Sequence, residues 1–257
     1  MDAFSPDGHR LARGFAGPDA NALSVITAPS RRDHAITRPG PADDDDRPSW
    51  SPSGASIAFQ RYLGAEQDWF VFTVRIDGSH LRRLARGERP QWSTRGRIAF
   101  MRSRDNGAHS SIYSMDEVGH HVRRLTYGLR DANPDWSPDG RRLAFDRHED
   151  IYTVAADGGQ LHRLTSGPRF DFTPAFSPDG TQIVFATGRD LMIIPANGGR
   201  ARAFRCAHSG CTSPDWLPAT LSSAELPRTG ATVGVAVLCG VGALVVGLVG
   251  RALTSQP

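Results

Sequence analysis

The chain has 257 residues, enough to bury one large core or two small ones. Its 30 basic and 27 acidic residues leave a formal charge of +3, too small and too evenly spread for a nucleic-acid partner. Every basic residue is Arg, which points to GC-rich coding of the actinobacterial kind rather than to a binding function.

A ten-residue pattern recurs along the chain. It begins as Phe4-Ser-Pro-Asp-Gly-His-Arg-Leu-Ala12 and returns as Trp50-Ser-Pro-Ser-Gly-Ala-Ser-Ile-Ala-Phe59 and Trp92-Ser-Thr-Arg-Gly-Arg-Ile-Ala-Phe100. Trp136-Ser-Pro-Asp-Gly-Arg-Arg-Leu-Ala-Phe145 and Phe176-Ser-Pro-Asp-Gly-Thr-Gln-Ile-Val-Phe185 follow, with a last partial copy at Ser213-Pro-Asp-Trp216. The anchoring aromatics at 4, 50, 92, 136, 176 and 216 set a period of 40 to 46 residues.

Each period predicts four short strands. In the unit from Asn133, a brief strand Asn133–Trp136 enters a tight Ser-Pro-Asp-Gly turn, where Pro fixes one φ and Gly accepts a positive one. Leu143 and Phe145 then alternate with Ala144, Ile151–Val154 forms the third strand, Asp157-Gly158 turns the chain, and Leu161–Thr165 closes the unit. The third strand recurs at Val71–Val74, Ile112–Met115 and Leu191–Ile194, and the fourth at Leu81–Leu84, Val122–Leu125 and Ala201–Phe204. The first unit is looser, with Leu23–Ile26 and His34–Thr37. Four strands per period and no helical stripe predict an all-β fold, a β-propeller.

The unit resembles the TolB-type, WD40-like propeller repeat, whose hallmark is W-S-P-D-G-x-x-I-A-F, over about residues 4 to 217. Counting aromatics gives about five four-stranded blades plus a terminal strand. Ser213–Leu217 matches the first strand of a unit, which the N-terminal copy lacks, so pairing of the last strand with the first unit would close the ring. The resemblance also implies the alternative of six blades, one missing upstream of Met1. The expected domains are therefore a propeller at 1–217, a linker at 218–225 and an anchor at 226–257.

Residues 231–250 run uncharged for the length of a helix that crosses a ~30 Å hydrocarbon layer. Immediately before them, Leu226, Pro227, Arg228, Thr229 and Gly230 form a pentapeptide that resembles the LPxTG sorting signal of Gram-positive surface proteins. The resemblance implies cleavage by a sortase between Thr229 and Gly230, with attachment to peptidoglycan at the cell surface. A single Arg251 follows the apolar run, where the family shows several basic residues. A tail-anchored protein facing the cytoplasm is the alternative. No secretory signal is visible, and Met1 falls almost on a repeat, which suggests a misplaced start or a truncated gene.

Chemistry is sparse. No nucleophile elbow, phosphate loop or metalloprotease motif occurs, so no catalytic residue, metal or cofactor is assigned. Cys206 and Cys211 flank a short loop and are candidates for a disulfide; Cys239 sits in the apolar block. The carboxylate run Asp43–Asp46 is expected as a solvated loop rather than a calcium site. His120-His121 and His148-Glu149-Asp150 are expected in polar loops, Asp7, Asp139 and Asp179 as turn formers, and the Trp series as core. The resulting expectation is a non-enzymatic binding propeller that meets a protein or glycan at one face. Its rivals are a glycan or peptide hydrolase with paired carboxylates, and an accessory protein resembling TolB.

Overall fold

The computed structural model describes residues 2–16, 20–28, 30, 32–104, 108–188, 190–204 and 213–216, together with the backbone of 234–239 and 243–248. Five four-stranded antiparallel sheets follow one another along the chain, each ordered as its strands occur in sequence. These are the blades of a propeller. Their inner strands are Asp2–Phe4, Asp44–Trp50, Glu88–Trp92, Asp131–Trp136 and Asp171–Phe176. The first blade therefore carries its own inner strand, contrary to the expectation that the N-terminal copy lacks one. That strand sits directly against the chain's first residue, where sequence offers no leading context.

Ser213–Trp216 takes a sixth inner position and is not borrowed by the first blade. Trp216 packs with Ala175, Val184 and Leu191 of blade five, and its indole Nε1 donates to Ala175 O at 3.0 Å. Its sheet partner is Gly234–Cys239, which in turn pairs with Ala243–Leu248, giving a sheet of three strands. These two strands fall within 231–250, where a helix was expected. A Val- and Gly-rich apolar run carries no periodicity that chooses between the two. Among the described residues no helix is long and apolar enough to cross a membrane. Cys206, Cys211 and the pentapeptide 226–230 lie outside the described residues.

Blade four shows how the repeat builds the core. Its second strand, Arg142–Arg147, pairs Leu143 with Val154 and Phe145 with Tyr152 on the third. Because side chains alternate across a strand, Leu143 and Phe145 face blade three, where, together with Trp136 of their own blade, they meet Met101 and Ile112. Ala144 faces blade five and meets Phe176, Ile183 and Phe185. Both faces of the strand are thus buried, and the core is a series of layers between neighbouring blades. Phe59, Phe100, Phe145 and Phe185 occupy the same place in four blades and are at most 1% exposed.

The turns follow the sequence pattern. At Ser137-Pro-Asp-Gly140, Ser137 Oγ donates to Asp139 Oδ1 (2.6 Å) and accepts from Arg142 N (2.9 Å), while Asp139 Oδ1 also accepts from Arg141 N (3.0 Å). Gly140 takes φ of 63°, which a side chain would strain. Asp7 and Asp179 repeat the arrangement with Ser5 and Ser177.

The serine hydroxyl, first among the causes, holds all three carboxyls below their ordinary range. Each folded-state value lies below the unfolded one, so the stability they add is present above the ordinary carboxylate pKa and lost as pH falls through the lowered value. A double variant Asp139→Asn/Asp179→Asn is expected to lose less stability than wild type between about pH 5 and pH 2 in urea titrations. Equal losses would contradict this account.

Candidate functional site

The inner strands share a second pattern, x-Pro-x-aromatic, at Pro48, Pro90, Pro134, Pro174 and Pro214. Proline has no N–H to give, and these strands border the central channel with no strand beyond them, so the missing donor costs no ladder bond. In blades two to five the residue before the proline takes a left-handed backbone: Arg47 (φ 55°), Arg89 (53°), Asn133 (49°) and Thr173 (51°). Such a conformation strains a residue with a Cβ, by about 1–3 kcal/mol, and here it recurs in four successive blades. A break in strand register accompanies it in all four blades, between Asp46 and Ser49, Glu88 and Gln91, Ala132 and Asp135, and Phe172 and Ala175.

Neighbouring blades hold this bent backbone. Gln60 Oε1 accepts from Arg89 N (2.8 Å), and Asp146 Oδ1 accepts from Thr173 N (3.1 Å) and Asn133 Nδ2 (2.7 Å). Burial pushes the Asp146 carboxyl up. The Trp indoles tie the ring together one residue from the aromatic: Trp50 Nε1 donates to Ala3 O (2.9 Å) and Trp136 Nε1 to Gln91 O (3.1 Å). The buried Trp92 Nε1 has no hydrogen-bond partner. The Trp side chains thus belong to the core and the blade junctions.

All six inner strands line one channel void of about 280 Å³. A wider cleft of about 910 Å³ lies on the face built by the loops between second and third strands and by those entering the inner strands of blades two to four. Trp69, Met101, Arg104, Arg130, His148 and Glu149 are among its walls. Arg89 borders both spaces. Beside the cleft, the loops bring Tyr127, Leu129 and Phe170 to the surface, 77%, 52% and 59% exposed.

The carboxylate run differs from the solvated loop expected. Asp44 to Asp46 belong to the inner strand of blade two, and Asp45 is wholly buried. Arg61 Nε and Nη2 donate to its two oxygens at 2.5 and 2.7 Å, and the guanidinium lies over the rings of Phe59 and Phe72. Asp43 accepts from Gly64 N (3.0 Å) and Asp44 from Asn21 N (3.1 Å). Blade four repeats the buried fork, with Arg147 on Asp131 at 2.5 and 3.0 Å. The signal lay in a column of Asp five residues before the aromatic, at 45, 131 and 171.

His148 and Glu149 form the positive-φ turn of blade four, while Asp150 accepts from Arg163 (2.6 Å) and His121 meets Asp116 (2.9 Å). Among the described residues no three His, Cys, Asp or Glu side chains converge as metal ligands. Of the four cleft carboxylates, Glu88 accepts from Ser103 Oγ (2.7 Å), Asp68 pairs with Arg86, Asp146 holds the neighbouring blade, and Glu149 stands in the turn of blade four.

The comparisons match this geometry. TolB from Acinetobacter baumannii superposes with a TM-score of 0.70 at 22% identity, covering 84% of this chain and 56% of that one. A putative TolB from Agrobacterium tumefaciens gives 0.68 at 23% identity, with 85% of each chain covered. The Tol-Pal system protein TolB of Geobacter sulfurreducens is 37% identical over 91 residues, which span 35% of this chain and 20% of that protein. The TolB beta propeller domain profile matches residues 2–150. With more than half of its residues in that match and five such blades in its fold, the chain belongs to the TolB beta propeller domain family.

Proposed function

We propose that this chain is a non-enzymatic binding propeller, displayed at the surface of a Gram-positive, actinobacterial-type cell, whose cleft face receives a protein or glycan partner. One observation carries the binding role: the cleft of about 910 Å³ is walled by long charged side chains held on rigid sheets. Hydrolysis by paired carboxylates would need two free acids facing each other. Of the four acids lining the cleft, Glu88, Asp68 and Asp146 are instead engaged in hydrogen bonds and ion pairs, which leaves Glu149 without a free acid to pair with. That arrangement favours recognition over bond cleavage.

Display rests on the sequence beyond the ring. A sortase would cut Leu226-Pro227-Arg228-Thr229-Gly230 after Thr229 and join the propeller to peptidoglycan; holding the precursor in the membrane until then would require 231–250 to span it as a helix instead of pairing as strands. Cell fractionation tests this. Wild type is expected in the wall fraction and Thr229→Ala in the membrane fraction; identical detergent-extractable behaviour of the two would reject sorting. The binding role has its own test. A photo-crosslinker at position 104 in the cleft should yield adducts on intact cells, and one at exposed Arg82 on an outer strand should not. Equal labelling from both would reject the cleft.

A further inference from the structure

We propose that the loops entering the inner strands of blades four and five form a docking surface for an acidic protein segment that carries apolar side chains. The proposal names the partner for the binding role above and rests on it.

The first loop, 125–130, leaves the outer strand of blade three, and the second, 164–170, leaves that of blade four. The same bonds hold both. Thr126 Oγ1 accepts from Ile112 N (2.9 Å) and Thr165 Oγ1 from Ile151 N (2.9 Å). Arg124 Nε donates to Thr126 O (2.8 Å) and Arg163 Nε to Thr165 O (2.9 Å). Gly128 lies against the Arg147 guanidinium, which its fork on Asp131 keeps in place, so no Cβ would fit there.

This frame holds Tyr127, Leu129 and Phe170 out in water. The Arg124 guanidinium lies 4.7 Å from the centre of the Tyr127 ring and backs it. Large apolar side chains kept exposed on fixed loops mark a contact surface, since the isolated fold gains nothing from them.

Charge selects the partner. Arg130 and Arg169 are exposed beside the apolar side chains, whereas Asp131 and Asp171, which follow the loops, are buried. Arg147 takes Asp131, and burial pushes the Asp171 carboxyl up toward its neutral form. Arg104, Arg124, Arg130 and Arg169 form no ion pair among the described residues. The exposed acids set against them are Glu149, in the turn of blade four, and Asp190, at the start of the third strand of blade five.

The surplus is therefore positive, and it steers an acidic partner toward side chains of the kind that anchor interfaces. Arg130 also walls the cleft, so a segment lying over the loops continues into it. A polyanionic glycan would satisfy the arginines alone, whereas Leu129 and Phe170 need carbon to bury against.

Fluorescence anisotropy with the full chain tests this. The probes are the labelled peptide Glu-Asp-Leu-Phe-Glu-Asp-Leu-Glu, its counterpart with every acid replaced by Lys, its counterpart with the apolar residues replaced by Ser, and labelled alginate. The acidic apolar peptide is expected to bind about tenfold more tightly than each of the others, and to weaken as salt rises. Arg130→Glu/Arg169→Glu should weaken it about ten- to a hundredfold and turn the preference toward the Lys peptide. Leu129→Ser/Phe170→Ser should weaken it about tenfold. Leu81→Ser/Arg82→Glu, exposed at the outer edge of blade two, should change nothing.

Equal binding of the acidic and Lys peptides, alginate or the Ser peptide binding as tightly as the acidic apolar one, or unaltered affinity in both folded loop variants would overturn the proposal. The wild-type comparison of probes stands even if a variant does not fold. Cleft-specific crosslinking from position 104 without a peptide response would sink this surface and leave the binding role intact.

Discussion

Replacing Asp45 by Ala is expected to destabilise the propeller by about 3–5 kcal/mol, because it strands a buried cation. Arg61 is 6% exposed and Asp45 0%, so water cannot take over the lost contact. The two bonds of the fork disappear together, while the guanidinium stays over Phe59 and Phe72 with its charge unmatched. Removing both charges is a different experiment. In Asp45→Ala/Arg61→Met an apolar stem replaces the cation, and most of the loss should be recovered. Urea unfolding of wild type, both single variants and the double variant measures the coupling. Additive single-variant losses would show that the pair does not act as a unit.

Phe145→Ala is the second large effect, again about 3–5 kcal/mol. The ring is fully buried, lies 5.8 Å centroid to centroid from Tyr152 and carries the Arg147 guanidinium 5.3 Å from its centre. Its removal opens a void in the layer between blades three and four that rigid sheets cannot close. Thermal unfolding should fall by roughly 6–20 °C. Exchanging the neighbouring Ala144 for Gly touches the opposite layer and removes a single methyl, so it should cost far less. Similar losses from the two would mean that the layers are not distinct.

The blades were legible because the aromatic, the serine and the turn glycine recur together, and each has one local job that a period of about 42 residues makes visible. The Asp turns were legible for the same reason. The buried Asp45 was not, because four consecutive acids look like a solvated run; only alignment on the aromatic separates it from its neighbours. Blade three also interrupts that column. Its equivalent is Gly87, where an added Cβ would lie 2.5 Å from the Phe100 ring. The channel throat needed coordinates, since the left-handed turn before the prolines of blades two to five falls on Arg, Arg, Asn and Thr, with no shared residue type to announce it. The inner strand of blade one lacked an upstream pattern, and the apolar run 231–250 lacked a period.

The junction of blades two and three is fastened differently from those on either side of it. Trp92 does not make the indole bond that Trp50 and Trp136 make, and Arg102 has a backbone carbonyl where Arg61 and Arg147 have aspartate. That seam is held by Gln60 Oε1 and Ser49 Oγ, which accept from Arg89 N (2.8 Å) and Trp92 N (2.9 Å), together with the packing of Ile98, Phe100 and Met115 against Val71 and Ala58. Both donors are inner-strand amides beside the channel, so this seam is gripped at the centre of the ring, where its neighbours rely on an indole and a buried ion pair.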